Sequence, residues 1–409
     1  MHETSLISTI AVSLAFAFIG GLIAARLRLS PLIGYLVAGI AVGPFTPGFV
    51  ADETLAPQLA DIGVILLMFG VGMHFSVRDL IAVRGIAVTG AIGQIAVATA
   101  LGTGIAHYWG WSLGAGLTFG LSLSVASTVV LVRALEAHGQ LNTEDGRIAV
   151  GWLVVEDLVM VLTLVLLPAF AQTLGGNVGA EGSATSAQLG ASLAMTVGKV
   201  IVFVAVMLVG GTRVIPRVLR WVEHTGSREL FTLAVITLAL DLALFSAELF
   251  GVSFALGAFF AGVVMNGSEL THRAATDLQP LQDAFCALFF VAVGMFFEPA
   301  ILLEQPLRVL AVLGAILIGK SLVAFAIVRL LRYPLHSALT IAVALAQIGE
   351  FSFILADLGV DLGLLPPAGE QLILAGALVS ITLNPLLFAL ANRLQPKRTL
   401  AARLRARSR

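Results

Sequence analysis

Between Ser5 and Ala391 the chain is a succession of apolar runs, most of them near the ~20 residues a helix needs to cross the ~30 Å hydrocarbon core of a bilayer. The runs lie near 5–25, 31–50, 57–76, 84–108, 112–136, 146–172, 189–213, 228–247, 251–267, 281–297, 306–331, 335–358 and 368–391. Hydrocarbon offers a backbone no hydrogen-bond partners, so segments like these span a membrane as helices that satisfy their own N–H and C=O groups. Thirteen spans are therefore predicted, and the least marked break is 248–250, where Glu248 and Gly251 divide two short runs. The composition agrees: 58% of residues are hydrophobic and only 11% charged, outside the range of soluble domains.

Basic residues orient the array, because Lys and Arg concentrate in cytoplasmic loops. Every second loop carries Arg26, Arg28, Arg78, Arg84, Arg133, Arg147, Arg213, Arg217, Arg220, Arg228, Arg273, Arg329 and Arg332, and the tail adds Arg393, Lys397, Arg398, Arg403, Arg405, Arg407 and Arg409. Twenty of the 23 basic residues thus share one side; the opposite loops hold only Arg308, and Lys199 and Lys320 lie within spans. The N-terminus is predicted outside and the tail cytoplasmic. MHETSLIS has no basic n-region, so the first span reads as a retained helix. Cys286 is the single cysteine, which excludes a disulfide framework. The basic tail reads as an orienting end lying against anionic inner-leaflet lipid.

The chain also repeats itself. SPLIGYLVAGIAVG from Ser30 aligns with SFALGAFFAGVVMN from Ser253, setting Gly34 over Gly257 and Gly39 over Gly262. LADIGVILLMFGVGMHF from Leu59 aligns with LQDAFCALFFVAVGMFF from Leu281, with Asp61 over Asp283 and Gly72 over Gly294, and AVTGAI at 87–92 aligns with AVLGAI at 311–316. The offset stays between 222 and 224 residues, so spans two to four correspond to spans nine to eleven. A shift of seven spans is odd, which turns the second copy upside down. Inverted repeats are an architecture of secondary transporters, whose substrate sites lie near the midplane at interrupted helices. The same offset sets span five over span twelve and Thr128 over Glu350; both spans are interrupted at mid-depth, by SVAST at 124–128 and AQIGEF at 346–351.

Charge at that depth is costly: a carboxylate at the bilayer centre costs roughly 2.5–3.5 kcal/mol on insertion scales, so it persists when paired, hydrated or functional. Glu156 and Asp157 are adjacent in GWLVVEDLVMVLTLVL, so on a helix they point about 100° apart and cannot share one partner. Lys320 in LGAILIGKSLVAF is the counter-charge for one of them, and Glu350 is a third acid. Three acids and one base leave room for one or two exchangeable cations or protons, titrating as a coupled unit. The structural alternative is a buried ion-pair network without transport.

Other patterns carry less. GAILIGKS at 314–321 fits the P-loop pattern letter for letter, yet it lies inside an apolar span with no preceding strand and is rejected as a nucleotide site. Lys199 reads as a snorkelling side chain. His74, His138, His224, His272 and His336 fall on the predicted cytoplasmic side and read as surface residues. Asp241 and Glu248 receive no role. No HExxH, CxxC or nucleophile-elbow pattern appears, so the chain is read as a transporter and not an enzyme, with no cofactor.

VVEDLVMV together with SVASTVVLVRAL, Lys320 in LIGKS and AQIGEFSF resembles the cation:proton antiporter-2 family, closest to its Kef-type, YbaL-like potassium/proton antiporters, over residues 5–391. The resemblance implies an all-α membrane protein with the Na+/H+ antiporter-like fold: thirteen transmembrane helices in two inverted repeats with crossed discontinuous helices. It implies a homodimer in a bacterial inner membrane, with scaffold and dimerisation spans at 1–78 and 228–305, a mobile core at 79–188 and 306–392 moving as an elevator, a linker span at 189–227 and a basic tail at 393–409. Asp157 looks like the essential carboxylate for the transported monovalent cation and the proton, with Glu156, Ser127 and Thr128 beside it. Lys320 looks like the partner of position 156, and Lys320 and Glu350 would offset the half-helix ends at the crossing. Relatives often carry Asp, Asn or Gln where this chain has Glu156, which leaves the stoichiometry open. Kef-type proteins usually add a regulatory nucleotide-binding domain, which these 409 residues do not contain. The expected partners are thus a second copy, the bilayer, K+ or Na+ and H+, with no nucleic acid. The rival readings are a sodium-coupled symporter of a small organic anion and a ligand-gated cation channel or sensor.

Overall fold

The computed structural model describes residues 5–27, 29–47, 49–52, 54–74, 77–141, 143–176, 194–195, 198–199, 201–251, 254–266 and 270–394. The basic tail beyond 394 and most of 189–200 in the predicted linker span lie outside the described residues. The described regular structure is helical: α1 Ser5–Arg26, α2 Pro31–Val42, α3 Leu55–His74, α4 Val77–Tyr108, α5 Leu113–Ser124, α6 Thr128–Ala137, α7 Glu144–Ala171, α8 Thr212–Glu223, α9 Arg228–Phe250, α10 Phe254–Asn266, α11 Thr271–Met295, α12 Pro306–Leu313, α13 Ser321–Leu330, α14 Leu335–Ala344, α15 Glu350–Asp361 and α16 Pro367–Leu394. Two π-helical stretches interrupt the α-helical ladder, Val206–Gly211 before α8 and Gly314–Lys320 between α12 and α13. Among the described residues nine helical segments are long and apolar enough to cross a membrane, and Pro31–Val42, Leu113–Ser124, Gly257–Asn266 and Leu335–Ala344 are shorter apolar helices.

Several boundaries differ from those read in the sequence, for local reasons. The run at 31–50 is helical only to Val42, where Gly43 takes an extended conformation. The helix expected from 281 starts at Thr271 and carries Pro280 inside it. α4 begins at Val77, ahead of the predicted 84, so the 78/79 division falls within α4. The division at 392/393 likewise falls within α16. The weak break near 250 is sharp: Gly251 closes α9 with φ 67°, a left-handed conformation that glycine adopts without a Cβ clash.

Packing divides the helices into two sets. α3 lies on α10 and α11, α2 on α1 and α11, and α9 on α10; α4 lies on α5, α7 and α13, α15 on α5 and α16, and α12 on α16. The first set is held by backbone-close crossings at the repeat glycines. A Cβ on Gly39 would lie 2.1 Å from the Val291 carbonyl oxygen and 2.8 Å from Gly294 Cα, and one on Gly262 would lie 2.2 Å from the Phe69 carbonyl oxygen and 2.9 Å from the Gly72 carbonyl carbon. Gly39 aligns with Gly262 and Gly72 with Gly294, so exchanging the two copies turns the Gly39–Gly294 crossing into the Gly262–Gly72 crossing. Small residues let membrane helices approach this closely and gain dispersion contacts, since lipid supplies no hydrophobic drive between helices.

Candidate functional site

α5 stops at Ser124, and Val125 to Ser127 run extended until the Ser127 hydroxyl, accepting from the Val130 N–H at 3.3 Å, caps the start of α6. α14 stops at Ala344, and the chain resumes as α15 at Glu350 after Gly349, whose backbone is extended at φ −141° and ψ −155°. The two interruptions meet. Ser127 N–H donates to Gln347 Oε1 at 2.9 Å, and Gln347 Nε2 donates back to the Ser127 carbonyl at 3.1 Å. Contact this close needs glycine at 349, because a Cβ there would fall 2.4 Å from both Cα and Cβ of Ser127.

Interrupted helices leave backbone donors and acceptors that need partners. Polar side chains from neighbouring helices supply them. Gln94 Nε2 donates to the Ser124 carbonyl at 3.3 Å, and Asn384 Nδ2 to the Val343 carbonyl at 2.9 Å, covering the C-terminal ends of α5 and α14. Lys320 Nζ donates to the Gln347 carbonyl at 3.1 Å, so its charge sits against the negative end of α14. It is delivered there by the last residue of the Gly314–Lys320 π-helix, a local widening that recurs at functional sites. The segment matching the P-loop pattern is therefore helical, without the loop that would cradle a phosphate.

Glu156 and Asp157 take different partners, as their angular separation requires. Both oxygens of Glu156 are partnered: Oε1 accepts from Gln94 Nε2 at 2.5 Å and Trp152 Nε1 at 3.1 Å, and Oε2 accepts from the Ala126 N–H at 2.9 Å. Lys320 is its favourable counter-charge, acting through space and not in a direct ion pair. Asp157 makes one bond, accepting from Thr128 Oγ1 at 2.9 Å through Oδ2, and Oδ1 has no hydrogen-bond partner. Glu350 faces the Ser127 hydroxyl and the N–H groups of Thr128 and of itself, but neither carboxylate oxygen makes a hydrogen bond of good geometry. Glu350 and, more weakly, Glu156 are like-charged neighbours of Asp157. All four ionisable groups are enclosed, Glu156 at 0%, Lys320 and Glu350 at 1% and Asp157 at 4% exposure.

Ser127, Thr128, Glu156, Asp157, Lys320 and Glu350 are thus brought to one place, while Lys199 is exposed at a distance from it in sequence and His138 stacks on Phe388. The reading of the sequence left out Gln94, Trp152, Gln347, Gly349 and Asn384. Trp152 could have been found from its position four residues before Glu156, where helix neighbours meet. Gln94 is the single amide of the run 84–108, and a buried amide in a span needs a partner. Among the described residues no group of three or more His, Cys, Asp or Glu is arranged to hold a metal ion.

A helical membrane bundle with two mid-depth interruptions bound to one another, and with buried acids beside them, is the frame of an ion transporter. Residues 14–390 match the family described as sodium/hydrogen exchanger, transmembrane, and the chain belongs to it. It is 60% identical over 389 residues, 95% of this chain and 69% of the relative, to "Putative cation/proton antiporter YbaL" of Escherichia coli (strain K12). It is 30% identical over 394 residues, 95% of this chain and 67% of the relative, to K(+) efflux antiporter 5 of Arabidopsis thaliana. These matches bear out the resemblance to Kef-type, YbaL-like antiporters. The sodium proton antiporter MjNhaP1 from Methanocaldococcus jannaschii shares the fold, with a TM-score of 0.72 at 17% identity, covering 96% of this chain and 99% of that one.

Proposed function

We propose that this protein is a secondary antiporter, without enzymatic activity or cofactor, that exchanges a monovalent cation for protons, with K+ preferred over Na+. The observation that carries the reading is the set of three unpartnered carboxylate oxygens, Asp157 Oδ1 and both of Glu350, enclosed beside the junction of the two interrupted helices. A buried carboxylate without partners is expensive. A proton or a partly dehydrated cation offsets that cost, and the one displaces the other. Asp157 is the exchanging group, with Thr128 and Ser127 supplying further oxygen ligands of the hard kind such cations take. Glu350 and Lys320 balance the half-helix ends, and Glu156, with both oxygens partnered, is a fixed anion that holds the Ala126 N–H and counters Lys320 through space.

The architecture we propose around this site has thirteen spans in two inverted repeats, a homodimeric scaffold of α1–α3 and α9–α11, and a core of α4–α7 and α12–α16 that carries the site across as an elevator. The reciprocal glycine crossings support the inverted repeat, since a two-fold operation exchanging the copies turns each crossing into the other. The division of packing contacts supports a core that moves against a scaffold. The setting is the bacterial inner membrane, N-terminus outside and C-terminus cytoplasmic. K+ preference rests on the resemblance to Kef-type antiporters and on the K(+) efflux antiporter among the relatives.

The test is a proteoliposome with a trapped pH dye. Added K+, Na+, Li+ or Rb+ should drive a pH change inside the vesicle, largest with K+. Solute uptake driven by Na+ would instead assign a symporter, and conductance without proton counterflow a channel.

A further inference from the structure

The end of the bundle opposite the arginine-rich loops carries a groove of about 690 Å³ between the last turns of α4 and the first of α12, with Leu101, Gly104, Ile105, Tyr108, Trp109 and Arg308 in its lining. We infer that this groove binds one anionic phospholipid, its phosphate on Arg308 and one acyl chain along Leu101, Gly104 and Ile105.

The size lies within the ~300–1,000 Å³ of small-molecule sites. Its floor is apolar and has room, since a Cβ at Gly104 would meet nothing within 4 Å. The mouth carries the residues of a membrane–water boundary. Tyr108 is 89% exposed, and Trp109, Trp111 and Phe119 form an edge-to-face cluster with centroids 5.3–5.8 Å apart, the aromatic content expected where a membrane meets water.

Arg308 gives the groove its preference for an anion. It lies in the first turn of α12 and is the single Lys or Arg that the sequence places at the span ends on this side, and among the described residues it forms no ion pair. Its guanidinium lies 5.2 Å over the Trp109 ring, and Nη1 donates to Gln305 Oε1 at 2.9 Å, which orients the fork and leaves most of its five donors for a phosphate. A second groove of about 490 Å³ beside Trp111 has only uncharged residues in its lining and so offers a headgroup no charge to bind.

The lipid would touch the transport machinery. Leu101 packs on Gly319, where a Cβ would approach its Cδ2 at 2.5 Å, and Gly319 precedes Lys320 in the π-helix. An acyl chain against Leu101 therefore supports the wall behind the buried ammonium.

Native mass spectrometry of the full chain in detergent, titrated with phosphatidylglycerol or phosphatidylcholine, tests this without reference to transport. Phosphatidylglycerol should be retained over phosphatidylcholine. Arg308→Gln should reduce phosphatidylglycerol retention roughly fivefold, the effect of one basic residue near an anionic surface, and phosphatidylcholine by less, because its choline already offsets the phosphate. Gly104→Leu, whose Cβ meets nothing within 4 Å and whose side chain takes up groove space, should reduce both and decides the matter if Arg308→Gln does not fold. Undiminished phosphatidylglycerol retention in either folded variant would overturn the site.

Discussion

The side-chain amide of Gln347 and the peptide groups of Ser127 exchange two hydrogen bonds across 220 residues of sequence, tying the interruption of one half of the chain to that of the other. Gln347→Ala leaves a buried N–H and a buried C=O of Ser127 unpaired, at about 1–3 kcal/mol each. Thermal unfolding in detergent should show a clear loss of stability. Gln347→Asn, one methylene short, should not restore it; an unfolding temperature equal to wild type in both variants would mean that the pair contributes nothing.

Gly349 faces the same junction. Gly349→Ala should separate the interruptions, because the added Cβ meets Ser127 main-chain and Cβ atoms that cannot rotate away. Transport should fall by roughly tenfold or more, equivalent to ~1.4 kcal/mol at the barrier, while the protein still inserts and purifies. Undiminished exchange would show that the close approach is dispensable.

Glu156 and Lys320 should behave as a charge pair although they do not touch. Glu156→Gln puts a donor amide against groups that all donate, namely Gln94, Trp152 and Ala126, and removes the counter-charge of Lys320. The single variant should lose about 1–3 kcal/mol. The double variant with Lys320→Met should recover part of that loss, read as a positive coupling in a double-mutant cycle. Strict additivity would contradict the pairing.

The repeat predicts matched effects far from the site. Gly39→Val and Gly262→Val place side chains into backbone carbonyls at equivalent crossings, and overpacking of this kind costs typically ~1–3 kcal/mol. Both should lower the unfolding temperature by similar amounts, whereas Gly85→Val and Gly314→Val, with open space at the Cβ, should not. A large difference between the matched pair would argue against equivalent roles.

The helices were legible because membrane spans announce themselves by length and apolarity, and the interruptions because Ser, Thr and Gly stand where apolar residues should. The equivalence of Gly39 with Gly262 and of Gly72 with Gly294 was legible in the repeat, but that Gly39 meets Gly294 and Gly72 meets Gly262 was not, since an alignment does not say which helices cross. The start at Thr271 was not legible, since this helix extends past the apolar stretch into polar sequence that carries no hydropathy signal, and the start at Val77 was hidden by Arg78, Asp79 and Arg84, which read as a loop although Leu80 to Val83 between them are apolar. Within the site the ionisable residues stood out by their cost in lipid. Gln94 and Gln347 did not, because an uncharged amide is cheaper to bury and its partners, Ser124 and Ser127 peptide groups, belong to helix ends that only the folded chain brings near.

Asp157 carries the account. In proteoliposomes with a trapped pH dye, an imposed K+ gradient should drive proton movement in the wild type and none above the protein-free background in Asp157→Asn, a variant that keeps the shape and a bond to Thr128 but cannot alternate between charge and proton. Cation-driven proton movement that persists undiminished in Asp157→Asn would contradict the claim that this carboxylate is the exchanging group.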